Sequence, residues 1–133
     1  MQFRNQVTRN ANEIARLYGR IRETLCFRDD GPDQKAEWRD ACSDFHAQYD
    51  DLAFPGGVYT ARERLRAGDE QAIEYAIAFL EVRPYFFRSG YMYKDFMRVL
   101  RNCPLSVDQR KRYDQVREKY LIYRKKRRQT ETH

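Results

Sequence analysis

The sequence predicts an all-α protein, a single compact domain of five or six helices that pack antiparallel. Apolar residues recur at intervals of three and four along several segments, which is the period of an amphipathic helix. No segment shows the strict apolar–polar alternation of a β-strand. The segments are joined by short loops, which favour antiparallel packing of successive helices, either in a bundle or as stacked helical hairpins. A chain of 133 residues fits one domain over residues 1–128, and residues 129–133 are expected to form a frayed tail.

The first predicted helix starts near Asn10, because Asn10 and Glu13 have the spacing of a capping box. It ends before a loop at residues 28–32, where Gly31 and Pro32 are typical turn residues. Its apolar stripe consists of Ile14, Leu17, Tyr18, Ile21 and Leu25.

The second predicted helix begins at Pro32, since a proline loses no hydrogen bond in the first helical turn. It ends at residues 54–57, where a proline and two glycines break it. Its apolar stripe consists of Trp38, Ala41, Cys42, Phe45, Tyr49 and Leu52. Thr60 and Glu63 repeat the capping-box spacing, so they predict a third, short helix that Gly68 terminates.

The fourth predicted helix is the most apolar and is expected to lie at the centre of the fold. Asp69 is placed to cap its first turn, and Pro84 disfavours helical backbone at the residue before it. The apolar face of this helix consists of Ala72, Ile73, Ala76, Ile77 and Leu80.

A loop over residues 83–91 follows, with three consecutive aromatic residues directly after a proline. Phe86 and Phe87 are expected to anchor this loop in the core. Arg83 and Arg88 flank them, and arginines in such company typically stack on aromatic rings.

Two further helices are predicted after the loop. The fifth covers about residues 91–101, with Ser89 as its expected N-cap. Its apolar face consists of Tyr93, Phe96, Met97 and Leu100. The sixth starts at the capping-box pair Ser106 and Gln109 and is expected to run to about Arg127.

The net charge of +6 is divided into two opposite poles along the chain. Residues 29–51 contain eight acidic and two basic residues, a net charge of −6. Residues 98–128 contain twelve basic and three acidic residues, a net charge of +9. Such poles can attract each other, a second copy of the chain or a different partner.

The side chains that carry chemistry favour a binding protein over an enzyme, and no cofactor is expected. His46 adjoins an apolar stripe and has no evident nucleophile beside it, and His133 is terminal. Glu37, Asp40 and Asp44 share one face of the second helix. Because no histidine or second acidic helix accompanies them, we interpret this face as solvated surface rather than as a metal site.

A cytoplasmic location is expected. The N-terminal residues lack the apolar stretch of a signal peptide, and no apolar run approaches the roughly 18 residues that span a bilayer. The three cysteines are an odd number without a Cys-x-x-Cys pair, which is not typical of a secreted disulfide framework. The apolar face of the last helix consists of tyrosine and valine, so it favours packing on protein over binding to a membrane.

The segment from Phe79 to Tyr91 resembles a pattern found in small bacterial all-helical proteins. In that pattern an apolar helix ends in Leu-Glu-x-x-Pro, as at residues 80–84, and two aromatics and Arg-Ser-Gly-Tyr follow, as at residues 86–91. The resemblance covers about residues 72–122. Some proteins of this type are encoded beside secreted toxins, so the resemblance implies an immunity or adaptor protein. Many immunity proteins are acidic, whereas this chain is basic.

These observations together predict a non-enzymatic protein-binding module that binds a bacterial toxin or effector. The alternative is a small basic protein that binds nucleic acid through its basic C-terminal helix. The candidate partner-binding residues lie on the two charge poles and are Glu37, Asp40, Asp44, Arg110, Arg117 and Arg124. The oligomeric state stays open.

Overall fold

The computed structural model describes residues 2–131, and over these residues the chain forms six α-helices and no β-strand. The predicted all-α class is therefore confirmed. The helices are α1 (Gln2–Leu25), α2 (Pro32–Ala53), α3 (Val58–Arg66), α4 (Glu70–Val82), α5 (Ser89–Leu100) and α6 (Val107–Glu131).

Helix α4 lies at the centre of the fold, as its composition predicts. Ala72, Ile73 and every residue of the run 75–80 are at most 3% exposed. A helix that is apolar on every side needs neighbours on every side, and α1, α3, α5 and α6 all pack against it. The Asp69 carboxylate accepts a hydrogen bond from the Ala72 N–H at 3.2 Å, so the predicted cap is confirmed.

Side-chain pairs between α1 and α4 fix the relative direction of these two helices. Arg4 reaches Glu81, and Asn10 reaches Tyr75, so the residue numbers run in opposite directions along the contact. Helix α1 is therefore antiparallel to α4. The segment 26–31 connects α1 to α2, and the two form a helical hairpin on one side of the core.

The predicted start of α1 is wrong, because the helix already begins at Gln2. Phe3 packs against the core and Val7 is only 1% exposed, so the apolar stripe extends two turns before Asn10. The Asn10 side chain donates to the Tyr75 hydroxyl at 3.3 Å instead of capping a helix. The polar residues between Phe3 and Asn10 obscure this stripe in the sequence.

The predicted capping of α3 by Thr60 is also wrong. Helix α3 begins two residues earlier, at Val58, and the Val58 N–H donates to the Asp50 carboxylate of α2 at 2.9 Å. The Thr60 hydroxyl instead bonds back to the carbonyl oxygens of Gly56 and Gly57, at 3.3 and 3.4 Å. The cap therefore comes from a residue eight positions earlier in the chain.

The capping box at the start of α6 is confirmed in both directions. The Ser106 N–H donates to Gln109 Oε1 at 2.9 Å, and the Gln109 N–H donates to Ser106 Oγ at 3.1 Å. Farther along, the Tyr113 hydroxyl donates to the Met97 carbonyl oxygen and fixes α6 on α5.

Helix α6 continues to Glu131, beyond its expected end near Arg127. Every side chain from residue 121 to residue 130 is exposed, so this part of the helix contributes no buried side chain to the core. The expected frayed tail falls partly on Thr132 and His133, which lie outside the described residues.

Two further observations concern the chain as a whole. Among residues 2–131, no helix has the length and apolar character needed to cross a membrane. All three cysteines are free thiols: Cys26 is exposed, Cys42 is half-buried and Cys103 is buried.

Candidate functional site

The loop between α4 and α5 is a closed turn that contains two left-handed residues. Arg83 has φ 51° and Arg88 has φ 67°, conformations that are costly for residues with a Cβ. The Phe86 N–H donates to Ser89 Oγ at 3.0 Å, and the Ser89 N–H donates to the Phe86 carbonyl at 2.9 Å. The expected N-cap role of Ser89 is wrong, because α5 begins at Ser89 and its hydroxyl accepts from the loop instead.

Phe87 packs against aromatic rings of the α1–α2 hairpin. Its ring centroid lies 5.6 Å from that of Tyr18, 6.0 Å from Phe45 and 6.1 Å from Tyr49. The Tyr49 hydroxyl also donates to the Phe87 carbonyl oxygen at 2.7 Å. Burial raises the pKa of Tyr49, so the phenol keeps the proton that it donates. The hairpin therefore holds both the ring and the backbone of this loop residue.

The two consecutive phenylalanines of the loop have different environments. Phe86 is half-buried and packs edge-on against Phe79 of the core, with ring centroids 6.0 Å apart. Phe87 remains 42% exposed, so the expectation that it is a core anchor is wrong. Successive side chains of a tight turn point in different directions, and only one of the two can reach the core.

Five exposed aromatic side chains surround this loop and form a surface that we call the aromatic patch. They are Tyr18, Tyr59, Tyr85, Phe87 and Tyr91, with exposed fractions of 38%, 92%, 96%, 42% and 77%. Two clefts, of about 830 and 720 Å³, share Phe87 and Tyr91 in their walls. Tyr59 lines the larger cleft, whereas Tyr18 and Tyr85 line the smaller one.

The smaller cleft has a cationic rim. Arg22, Arg88 and Lys94 line it, and no carboxylate is present among its described lining residues. The larger cleft contains two carboxylates, but both already have partners: Asp50 accepts from the Val58 N–H at 2.9 Å, and Asp95 is paired with Arg62 at 2.6 Å. The aromatic patch therefore combines exposed rings with uncompensated positive charge.

A second surface, which we call the basic groove, lies between α5 and α6 and has a volume of about 600 Å³. Among its described lining residues, eight are arginine or lysine and none is aspartate or glutamate. The cations are Arg83, Lys94, Arg98, Arg101, Arg117, Arg124, Arg127 and Arg128. The rest of the lining is Met97, Tyr120, Leu121 and Tyr123.

Both arginines of the loop contact aromatic rings, as predicted. The Arg83 guanidinium carbon lies 4.9 Å from the ring centroid of Tyr93 and 4.7 Å from that of Tyr123. The Arg88 guanidinium carbon lies 5.2 Å from the Phe87 ring. The first contact joins the loop to the basic groove, and the second belongs to the aromatic patch.

Arg112 of α6 forms a partly buried cluster with two carboxylates of α4. Its guanidinium reaches Glu81 at 2.6 Å and Glu74 at 2.8 Å, and Arg4 of α1 reaches Glu81 at 2.9 Å. Burial raises the pKa of both carboxyl groups, but the hydrogen bonds and charge of Arg112 outweigh it together with a second donor, Gln109 at Glu74 and Arg4 at Glu81. Both pKa values therefore lie below the usual range. We interpret this cluster as a clamp between three helices, since its charges are mutually compensated.

The three acidic residues that the sequence indicates as partner-binding candidates lie on the solvated face of α2. Glu37 and Asp40 are exposed, and Asp44 is paired with Arg20 of α1. Nowhere in the described part of the chain do three His, Cys, Asp or Glu side chains gather closely enough to hold a metal ion. His46 is exposed, and its ring packs edge-on against an aromatic neighbour.

The three basic candidates divide between two roles. Arg110 donates to the carbonyl oxygens of Arg101 and Cys103, both at 3.2 Å, so it satisfies backbone acceptors of the segment between α5 and α6. Arg117 and Arg124 line the basic groove, whereas none of the three acidic candidates does.

The periodicity of the sequence does not reveal the aromatic patch. It assigns Tyr18 to an inward stripe, although this side chain is 38% exposed, and no pattern marks Tyr59, Tyr85 or Tyr91. One signal was present: a short loop with three consecutive aromatic residues cannot turn all of them toward one core. At least one ring of the run 85–87 therefore had to face solvent.

Comparison with known proteins identifies no relative of the chain. No protein-family model, curated protein or solved structure matches the chain at a significant level. The functional argument therefore depends on the chemistry of the two surfaces.

Proposed function

We propose that this protein acts by stoichiometric binding to another protein through the aromatic patch. The observation that carries the proposal is the display of five exposed aromatic side chains around one closed turn. Tyrosine and arginine are enriched among the residues that dominate protein–protein binding energy. Exposed aromatic surface of this kind is typical of an interaction site.

The conformation of the loop supports binding with a low ordering cost. The Tyr49 hydroxyl and the rings of Tyr18 and Phe45 already hold Phe87 before any partner arrives. A surface that is fixed in advance loses less conformational entropy on association than a mobile one. The affinity per buried ring is correspondingly higher.

The charges around the patch define the chemistry of the partner. Arg22, Arg88 and Lys94 line the smaller cleft without a carboxylate among its described lining residues. A partner with an apolar pocket and an acidic rim is complementary to this arrangement. The resemblance of the loop motif to toxin-associated bacterial proteins supports a toxin or effector as the candidate partner.

The proposal is tested by replacing two rings that serve no structural purpose. Tyr85 and Tyr91 are 96% and 77% exposed, so Tyr85→Ser/Tyr91→Ser is expected to fold normally. Partners are captured from native lysate by cross-linking, then purified and titrated by calorimetry. If each ring contributes about 2 kcal/mol, the two losses sum to about 4 kcal/mol, and the double variant binds about 1000-fold more weakly.

The matched control removes two exposed apolar side chains elsewhere. Phe27 and Val107 are 58% and 90% exposed and lie outside the aromatic patch, so Phe27→Ser/Val107→Ser should bind like the unchanged protein. A partner that binds both double variants with unchanged affinity contradicts the proposal, as does the recovery of no partner at all.

A further inference from the structure

The basic groove carries positive charge that the fold itself does not use. Lys94, Arg101, Arg117 and Arg124 have no ion-pair partner among the described residues, whereas Arg98 is paired with Asp95. Like charges that face each other across a cleft repel, and an anion bound between them relieves this repulsion. The groove is therefore built for a ligand with negative charge.

The spacing of the cations indicates an extended ligand. Lys94 and Arg98 lie on successive turns of α5, and Arg101 is its helical C-cap residue, with spacings of about 6 and 4.5 Å along the helix axis. Arg117 and Arg124 are two turns apart on α6, or about 10.5 Å. A single phosphate would need its cations to converge on one point, but these cations follow both walls of the groove.

Aromatic rings occur among the cations. Tyr123 is 44% exposed at the edge of the groove, and the Arg83 guanidinium covers part of its ring at 4.7 Å. Tyr120 lines the same groove and packs against Tyr93. Basic grooves that contain exposed rings are the usual design for binding single-stranded nucleic acid, because bases stack on the rings while cations contact the phosphates.

We propose that the basic groove binds single-stranded polynucleotide, independently of the protein-binding function of the aromatic patch. A single strand can place a base on Tyr123 while its phosphates follow the cations of the cleft, whereas a duplex keeps its bases paired and stacked inside. A lipid bilayer and an acidic peptide both offer negative charge, but neither offers a flat base for Tyr123 to stack on.

The first experiment measures binding of fluorescein-labelled 12-nucleotide RNA and DNA strands by anisotropy. Contact with about four phosphates predicts that affinity falls about 50-fold between 50 and 200 mM salt. Comparison of the RNA strand with the DNA strand shows which of the two polynucleotides the groove prefers. The annealed duplex of the same sequence should bind at least about tenfold more weakly than the single strand.

Two charge variants with equal net charge test the location of the site. Arg117→Gln/Arg124→Gln removes two groove cations, and the slope of log affinity against log salt should decrease by about 1.4. Arg9→Gln/Lys35→Gln removes two exposed cations from α1 and α2 and should leave affinity and slope nearly unchanged. An equal loss of affinity in both double variants would show that the strand is attracted by the net charge of the protein rather than bound in the groove, and would overturn the proposal.

A pair of substitutions at Tyr123 tests stacking. Tyr123→Leu keeps an apolar side chain but cannot stack on a base, so it should weaken binding about fivefold or more. Tyr123→Phe keeps the ring and should bind normally. Equal affinity of the two variants would contradict stacking, and thermal unfolding of both excludes loss of fold as the cause.

Competitors of other chemical classes complete the test. Vesicles that contain anionic phosphatidylserine, and poly-glutamate, are added at equal negative charge and should displace the strand poorly. If either competes as well as unlabelled strand, or if neither RNA nor DNA binds at 50 mM salt, the proposal is wrong. The Tyr85→Ser/Tyr91→Ser variant should retain strand binding, which separates this site from the aromatic patch.

Discussion

Asp50 shows how one side chain can join two helices of this fold. One oxygen of its carboxylate accepts from the Val58 N–H at 2.9 Å and caps α3. A Cβ added to Gly57 would lie 2.6 Å from the other carboxylate oxygen. Gly57 also has φ 99°, a conformation that glycine adopts much more readily than other residues. The junction therefore requires both a carboxylate at one position and a glycine at the other.

Alanine substitutions at two glycines should change stability in opposite directions. Gly57→Ala combines backbone strain with a clash against Asp50, so the free energy of unfolding should fall by at least about 1 kcal/mol. Gly19 lies inside α1, where an added Cβ meets nothing within 4 Å, and Gly19→Ala should raise that free energy by about 0.5–1 kcal/mol. Urea unfolding followed by circular dichroism measures both, and changes of the same sign would contradict the described junction.

At the scale of the element, α6 is attached through only one part of its length. Gln109 and Tyr113 are its buried side chains, at 5% and 1% exposure, and Arg112 lies between them in the clamp. The residues after position 120 are exposed as far as position 130. The first half of the helix therefore provides attachment, and the second half provides one wall of the basic groove.

Removal of the clamp should loosen this attachment. Arg112→Met leaves Glu74 and Glu81 partly buried without their main partner, so the free energy of unfolding should fall by about 1.5–3 kcal/mol. Lys111→Met is the matched control, since Lys111 is exposed on the same helix and its loss should change stability by no more than about 0.5 kcal/mol. Urea titration of both variants measures the difference, and equal stabilities would show that the clamp contributes nothing.

The helices that the sequence predicts well are those whose signals are local. The cap at Asp69 and the capping box of Ser106 and Gln109 involve residues three positions apart, and the structure contains both. The predicted starts of α1 and α3 are wrong because the contacts made there are not those that the local spacing indicates: Asn10 bonds outside its own helix, and Asp50 rather than Thr60 caps α3. Asn10, for example, bonds to Tyr75, which is 65 positions away. Spacing within a helix carries no information about such a contact.

At the scale of the whole molecule, the two candidate surfaces differ in how far the sequence could reveal them. The positive charge of the basic groove can be predicted from composition, because the excess of arginine and lysine in residues 98–128 is visible without a structure. The aromatic patch cannot be found in this way, because the exposure of its rings depends on how neighbouring helices and the loop are placed in the fold. Tyr18 has the periodicity of a core residue, but from the loop only the ring of Phe87 stacks on it, and 38% of its side chain therefore remains exposed.

The titration of buried groups predicts how overall stability depends on pH. The folded-state pKa values of Glu74 and Glu81 lie below the usual 4.5, so their contribution is complete at neutral pH and is lost as the pH falls below about 4.5. Burial raises the pKa values of Tyr75, Tyr93 and Tyr113 above the usual 10.0, so their contribution is lost as the pH rises above about 10.

Urea midpoints measured from pH 3 to pH 11 should therefore have a maximum between about pH 5 and pH 9. In Arg112→Met the acid decrease should be smaller, because Glu74 loses its arginine partner and Glu81 keeps only Arg4. An acid limb of equal steepness in both proteins would show that other carboxyl groups cause it.

The position of Glu81 also determines the order in which the protein can assemble during its synthesis. Its partners Arg4 and Arg112 lie 77 residues before it and 31 residues after it. At 5–20 residues per second, Arg112 is made about 2–6 s after Glu81. Before Arg112 has been made, the side of α4 that α6 covers in the folded protein has no partner. The shielding of the most apolar helix is therefore complete only after the chain has extended into α6.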